Sequence, residues 1–147
     1  MHRIGTLPFS IRDGAVSLLL ITSQTRRRWV LPKGLAKKGE SHCETGLRET
    51  FEEAGVRGII LENYPITVPI TRQKKRGTQA IPVTYYPMLV SEQAENWPEY
   101  ESRRRRWTRV GDASKIALRK DVQALISQFR ELMPWIAEAA KTKSKLV

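Results

Sequence analysis

Cysteine is nearly absent from this sequence, and Cys43 is the only one. No internal disulfide can form, and neither a disulfide framework nor a cysteine zinc cage is possible, so packing must supply the stability. Long apolar runs are also missing. The longest, Ala15 to Ile21, is interrupted by Ser17 and follows Asp13-Gly14; it falls far short of the roughly 20 residues that cross a bilayer. The N-terminus shows no charged leader followed by a long apolar core and a small-residue cleavage site. A cytoplasmic protein with no membrane partner is expected. Acidic residues are scarce as well: 15 Asp and Glu face 26 Lys and Arg, a net charge of +11. That imbalance calls for a polyanionic partner, and net charge alone does not choose among RNA, an anionic surface and a small phosphorylated molecule.

What is present fits one soluble domain. The 147 residues are 40% apolar and 28% charged, the proportions of an ordinary globular chain long enough to bury a core. The expected boundaries are one domain over residues 1–140 and a frayed basic tail over 141–147. Residues 4–12 and 15–22 predict two strands joined at Asp13-Gly14, a strong hairpin signal. Trp29 to Leu31 predicts a short strand closed by Pro32 and Gly34. Ser41, with Glu44 three residues on, predicts a capping box, and Gly55 a left-handed helix end. Ile59 to Leu61, Ile66 to Ile70 and Ala80 to Val90 read as strands. Pro65, Pro69, Pro82 and Pro87 interrupt them, so edge strands or bulges are expected. Arg105 to Val110 predicts a last strand closed by Gly111, with Asp112 or Ser114 capping a helical turn. Asp121 to Ala140 has helical periodicity, kinked or restarted at Pro134.

The acids are concentrated. Five of the 15, Glu40, Glu44, Glu49, Glu52 and Glu53, fall within fourteen residues, while Arg26 to Arg28, Lys74 to Arg76 and Arg103 to Arg106 lie elsewhere. Glu49, Glu52 and Glu53 occupy i, i+3 and i+4, so three carboxylates project from one helix face. Arg48 is adjacent and can also pair with Glu44 one turn back, but one guanidinium cannot neutralise the cluster. A hard divalent ion can: Mg²⁺ takes oxygen ligands and bridges to phosphate oxygens. Gly34 and Gly39 permit tight turns before the helix, so a carbonyl of Lys33 or Gly34 is an additional candidate ligand. The carboxylate least engaged by metal is then free to act as base.

The segment GLAKKGESHCETGLRETFEEAGV resembles the Nudix box, Gx5Ex7REUxEExGU with U aliphatic, at Gly34, Glu40, Arg48, Glu49, Glu52, Glu53, Gly55 and Val56. Thr50 departs from it at the first U. The eight matches would arise by chance on the order of once per billion start sites. The resemblance implies an α/β fold, the Nudix-type α/β/α sandwich with a mixed β-sheet between the box helix and a C-terminal helix. It places metal ligands on Glu49, Glu53 and Glu52, with the Lys33 or Gly34 carbonyl, and favours Glu52 as base, Glu92, Glu95 and Glu99 being alternatives outside the box. Mg²⁺ is the implied cofactor, with Mn²⁺ its alternative.

RRWVLPKG, EEAGVRG and WPEYESRRRRW look similar, more loosely, to the diphosphoinositol polyphosphate phosphohydrolase branch. That likeness implies substrates with many phosphates, dinucleoside polyphosphates or diphosphoinositol polyphosphates, held by Arg103, Arg105, Lys74, Lys75, Arg76, Arg28 and Lys120. An RNA 5′-pyrophosphohydrolase and a catalytically silent polyphosphate-binding module are the alternatives. Cys43, on the apolar helix face, is expected in the core, and His2 and His42 are expected to be ordinary polar residues.

Overall fold

Asp13 and Gly14 have φ of 50° and 78°, the left-handed pair that lets a two-residue turn match the twist of its strands. β1 (Arg3–Arg12) therefore folds back directly on β2 (Ala15–Thr22), Arg12 opposite Ala15. The computed structural model describes residues 2–145. After the hairpin come β3 (Trp29–Val30), β4 (Lys33–Gly34), α1 (His42–Ala54), β5 (Val56–Ile60), β6 (Ile66–Lys74) and β7 (Gly77–Gln93). The chain ends in β8 (Arg105–Arg109), α2 (Val110–Ile116), α3 (Lys120–Glu131) and α4 (Met133–Lys145).

The eight strands form one mixed sheet in which β1 and β7 are parallel and every other pair is antiparallel. Successive residues of a strand face opposite ways, and β1 shows where each helix lies. The Thr6 hydroxyl bonds Thr50 of α1 at 2.6 Å, while the ring of Phe9, on the other face, meets Phe129 of α3 edge-on at 5.7 Å. The sheet thus lies between α1 and α3, as the sandwich requires. The departure at Thr50 is explained too: it is fully buried and its hydroxyl is satisfied by Thr6.

The prolines sit where pairing changes. β7 pairs β6 up to Tyr85 and β5 from Met88, and Pro87, which has no N–H to give, falls between the two. Pro82 stands opposite Pro69 on β6, a strand that pairs only with β7. The one irregular register is at Arg57/Gly58 and not at a proline. The outward edge of β6 is met at Thr71, whose N–H donates to the Asp121 carboxylate at 2.9 Å and whose carbonyl accepts from Arg119 at 2.6 Å.

Three local expectations take these forms in the structure. α2 begins at Val110 and takes Gly111 and Asp112 into its first turn, so neither Asp112 nor Ser114 caps it. The helix restarts at Met133, with Pro134 in the first turn of α4 where the missing N–H costs nothing. α4 runs on to Lys145 with Lys141 to Ser144 exposed, and residues 146–147 of the expected tail lie outside the described residues.

Candidate active site

α1 is fixed at both ends. Ser41 Oγ accepts from the Glu44 N–H at 3.1 Å, the Ser41 N–H donates back to the Glu44 carboxylate at 3.0 Å, and Gly55 closes the helix at φ 69°. With Glu44 occupied in this capping box, Arg48 does not pair with it. The Arg48 guanidinium instead donates to Glu40 at 2.7 and 2.9 Å, to Glu49 at 2.7 Å, to Glu52 at 3.3 Å and to the Leu35 carbonyl at 3.0 Å. One arginine thereby ties the loop before α1 to two carboxylates on it. Arg48 and the Lys37 N–H hold the Glu40 carboxyl down at a pKa of about 2.

Glu53 differs from its neighbours. It is 5% exposed, and burial together with the Glu49 carboxyl beside it pushes its pKa up to about 9, against the pull of Arg103 at 3.4 Å. Gly34 faces the same group, since a Cβ there would run into the Glu49 carboxylate. Two carboxyls in contact, a third one turn along and a glycine cradle form an oxygen donor set that suits a hard cation. As the side chains stand, Arg48 draws Glu49 and Glu52 toward itself, and among the described residues no three His, Cys, Asp or Glu side chains are gathered as a ready-made metal cage.

β1 and β2 pair only from Phe9 and Leu18 toward their hairpin; beyond it β1 takes β4 and β2 takes β3. A cleft of about 1020 Å³ is lined by residues from both sides of this parting and from the β6–β7 hairpin. Glu53 is the one box carboxylate that lines it. Eight cations do so as well: Arg3, Arg26, Arg28, Lys33, Arg72, Arg103, Arg119 and Lys120. Among the described residues Asp121 is the only other acid in the lining. Burial pushes the Lys33 ammonium down, Glu53 opposes this, and Arg3, Arg119 and Arg103 add to it.

Of the basic residues expected at substrate, Arg28, Arg103 and Lys120 are therefore in the cleft. Arg105 is not. Its guanidinium bonds the Ala54 carbonyl at 3.0 Å and the Ala94 carbonyl at 2.5 Å and lies 3.9 Å over the Trp97 ring, so it is committed to the end of α1. Lys74, Lys75 and Arg76 lie at the exposed tip of the β6–β7 hairpin, outside the lining. Arg3, Arg72 and Arg119 were missed because each stands outside a conspicuous basic run; the alternation of β1 could have flagged Arg3. Among acids beyond the box, Glu99 comes nearest, accepting from Arg103 at 2.8 Å and Gln24 at 3.1 Å, whereas Glu92 lies opposite Arg57 and neither it nor Glu95 enters the lining.

His2 and His42 bond the Thr84 and Tyr86 hydroxyls at 2.7 and 2.8 Å. Cys43 is half-buried against the core, and burial raises its thiol pKa, which makes it a poor nucleophile.

Residues 1–131 match the NUDIX domain family. Nudix hydrolase 21, chloroplastic, of Arabidopsis thaliana is 34% identical over 133 residues, covering 85% of this chain and 66% of that protein. Diphosphoinositol polyphosphate phosphohydrolase 3-beta of Bos taurus is 33% identical over 104 residues, covering 67% and 58%. The chain thus spans about two thirds of the first relative's length and less of the second. Several Arabidopsis relatives bear mitochondrial or chloroplastic names rather than pointing to the cytoplasm. In fold, the crystal structure of a C. elegans Ap4A hydrolase binary complex superimposes with a TM-score of 0.70 at 21% identity, over 90% of this chain and 97% of that one. No helix among the described residues is long and apolar enough to cross a membrane.

Proposed function

Because the chain belongs to the NUDIX domain family, we propose that it is a metal-dependent hydrolase cleaving a diphosphate linkage in a small, highly phosphorylated substrate, a dinucleoside polyphosphate or a diphosphoinositol polyphosphate. The observation that carries this reading is the cleft: eight Lys and Arg side chains against two carboxylates, with no aromatic ring in its described lining. Such a surface recognises phosphate, Arg in bidentate fashion and Lys as a point charge, and it offers a base no ring to stack on. The relative named for diphosphoinositol polyphosphates supports the phosphate-rich end of the range.

Glu49, Glu53 and Glu52, with the Lys33 or Gly34 carbonyl, are the groups that would hold Mg²⁺ or Mn²⁺. Such an ion, when bound, neutralises phosphate oxygens and acidifies the attacking water. Arg48 orients Glu49 and Glu52, and Arg103 holds Glu53 at the cleft wall. Glu52 is 34% exposed and meets only Arg48 with its carboxylate, at 3.3 Å, so it remains available to accept a proton from water.

Gly34→Ala tests the donor set. The group its methyl meets is the end of a flexible side chain, so the melting temperature should barely change while the Glu49 carboxylate is displaced. Misplacing a reacting group by about 1 Å can cost roughly 10² in rate, and a loss of that order in kcat/KM with a rise in the Mg²⁺ needed is expected; parent activity in the variant would remove Glu49 from the site.

The reading as a whole is tested by Mg²⁺-dependent turnover of diadenosine tetra-, penta- and hexaphosphate, a diphosphoinositol polyphosphate and a 5′-triphosphorylated oligonucleotide. kcat/KM should rise with phosphate count by about tenfold, given screening in an open cleft, and the rise should shrink with salt. Lys120→Ala and Arg72→Ala should flatten it. Preference for the oligonucleotide would make the protein an RNA 5′-pyrophosphohydrolase, and no turnover of any substrate would make it a binding module.

A further inference from the structure

The C-terminal end of α1 collects negative charge. Its free carbonyls form the negative pole of the helix dipole, Glu52 and Glu53 add two carboxylates, and among the described residues α1 has no basic side chain in its last turn. Residues 94–105 answer this from outside the helix. The Glu99 N–H donates to the Glu52 carbonyl at 3.1 Å, and the Trp97 indole N–H donates to the Glu53 carbonyl at 3.0 Å. Arg105 donates to the Ala54 carbonyl at 3.0 Å and to that of Gly55 at 3.5 Å, which also accepts from the Ala94 N–H at 2.9 Å. Successive carbonyls from Glu52 to Gly55 are thus all taken by one stretch of chain.

Water can satisfy the last carbonyls of a helix, so a half-buried tryptophan and arginine are not needed for that alone. What matters is whose carbonyls they take. Glu52 and Glu53 carry two of the carboxylates assigned above to metal and base. The same stretch also holds a side chain: Arg103 meets the Glu53 carboxylate at 3.4 Å and is itself fixed by Glu99 at 2.8 Å. Gly55 leaves room for the contact, since a Cβ there would stand 2.7 Å from Arg105 Nη1 and 2.8 Å from the Trp97 ring. The Arg105 guanidinium lies 3.9 Å over that ring, so the two side chains brace each other. We infer that Trp97 and Arg105 are positioning residues for the reaction, holding the last turn of α1 at the depth and rotation that present Glu52 and Glu53 to the cation. The inference rests on the metal-dependent reading above.

Mn²⁺ binding to the substrate-free full chain, read by electron paramagnetic resonance, tests this apart from turnover. Trp97→Phe keeps a ring beneath Arg105 but removes the N–H, and Arg105→Met removes the carbonyl contacts. Each should weaken Mn²⁺ binding roughly tenfold and lower kcat by roughly 10- to 10²-fold with substrate KM unchanged, the range for reacting groups displaced by up to about 1 Å. Arg105→Lys, which keeps the charge, should recover part of both losses. Circular dichroism and melting temperature verify folding, and if Arg105→Met does not fold, Trp97→Phe carries the test. Phe129→Leu, which loosens the core on the opposite face of the sheet, should lower the melting temperature and leave Mn²⁺ affinity at the parent's value. Parent Mn²⁺ affinity and kcat in Trp97→Phe and Arg105→Met overturn the inference even if the enzyme turns over. An equal loss of Mn²⁺ affinity in Phe129→Leu overturns it too, because the contacts would then serve stability alone. A protein that hydrolyses nothing but loses Mn²⁺ affinity in Trp97→Phe and Arg105→Met keeps the positioning role and overturns the hydrolase reading; a parent that binds no Mn²⁺ overturns both.

Discussion

Replacing Glu53 by Gln is expected to lower turnover by roughly 10³-fold or more, the several kcal/mol that a correctly held cation contributes to phosphate chemistry. Gln keeps the size and leaves an amide to meet Arg103, so the fold should survive. In the metal-free protein the same change should alter the pH dependence of stability. Glu53 has a folded pKa of about 9 against an ordinary 4.5, because burial and the Glu49 carboxyl oppose its ionisation. Between those values the folded state binds more protons than the unfolded one, so stability falls as pH rises through the window. Melting temperatures in EDTA should therefore drop from pH 5 to pH 9 in the parent and drop less in Glu53→Gln. Normal turnover of the variant at limiting Mg²⁺ would sink the assignment, and an unchanged pH slope would sink its electrostatic half.

Glu52→Gln should lower kcat by roughly 10² to 10⁴ with little change in Mg²⁺ affinity, the signature of a lost general base. The proposal of Glu52 for this role rests on Glu49 being held by Arg48 at 2.7 Å and Glu53 being buried, whereas Glu52 has one long contact and partial exposure. Turnover restored by excess Mg²⁺ would make Glu52 a ligand instead. The base would then be sought at Glu99, already within reach of Arg103.

The carboxylate helix was legible because everything that forms it is local. Ser41 and Glu44 cap it, Gly55 ends it, and i, i+3, i+4 spacing alone puts three acids on one face. The cleft was legible only in part, since its lining depends on strand register and on elements far apart in the chain. Arg103 and Arg105 belong to one basic run, but Arg105 is captured by carbonyls at the end of α1, about fifty residues away, while Arg103 turns to Glu53. The sequence around Lys33 suggests only a backbone ligand, and the place of its side chain in the cleft follows from its register opposite Gly5. Runs of charge and the cleft coincide only in part: Lys74 to Arg76 fall at an exposed hairpin tip outside the lining, while isolated Arg3 and Arg119 are in it.

The hydroxyl pair of Thr6 and Thr50 binds two distant sites of the gene into one evolutionary unit. With both threonines present each satisfies the other where both are fully buried, but an aliphatic residue at Thr50 alone would remove the partner of the Thr6 hydroxyl. A buried polar group left alone costs about 1–3 kcal/mol, whereas replacing both partners with apolar groups is nearly neutral. Descent from a chain with the aliphatic residue must then pass through a weakened intermediate or change both codons together, and orthologues should carry either both hydroxyls or neither.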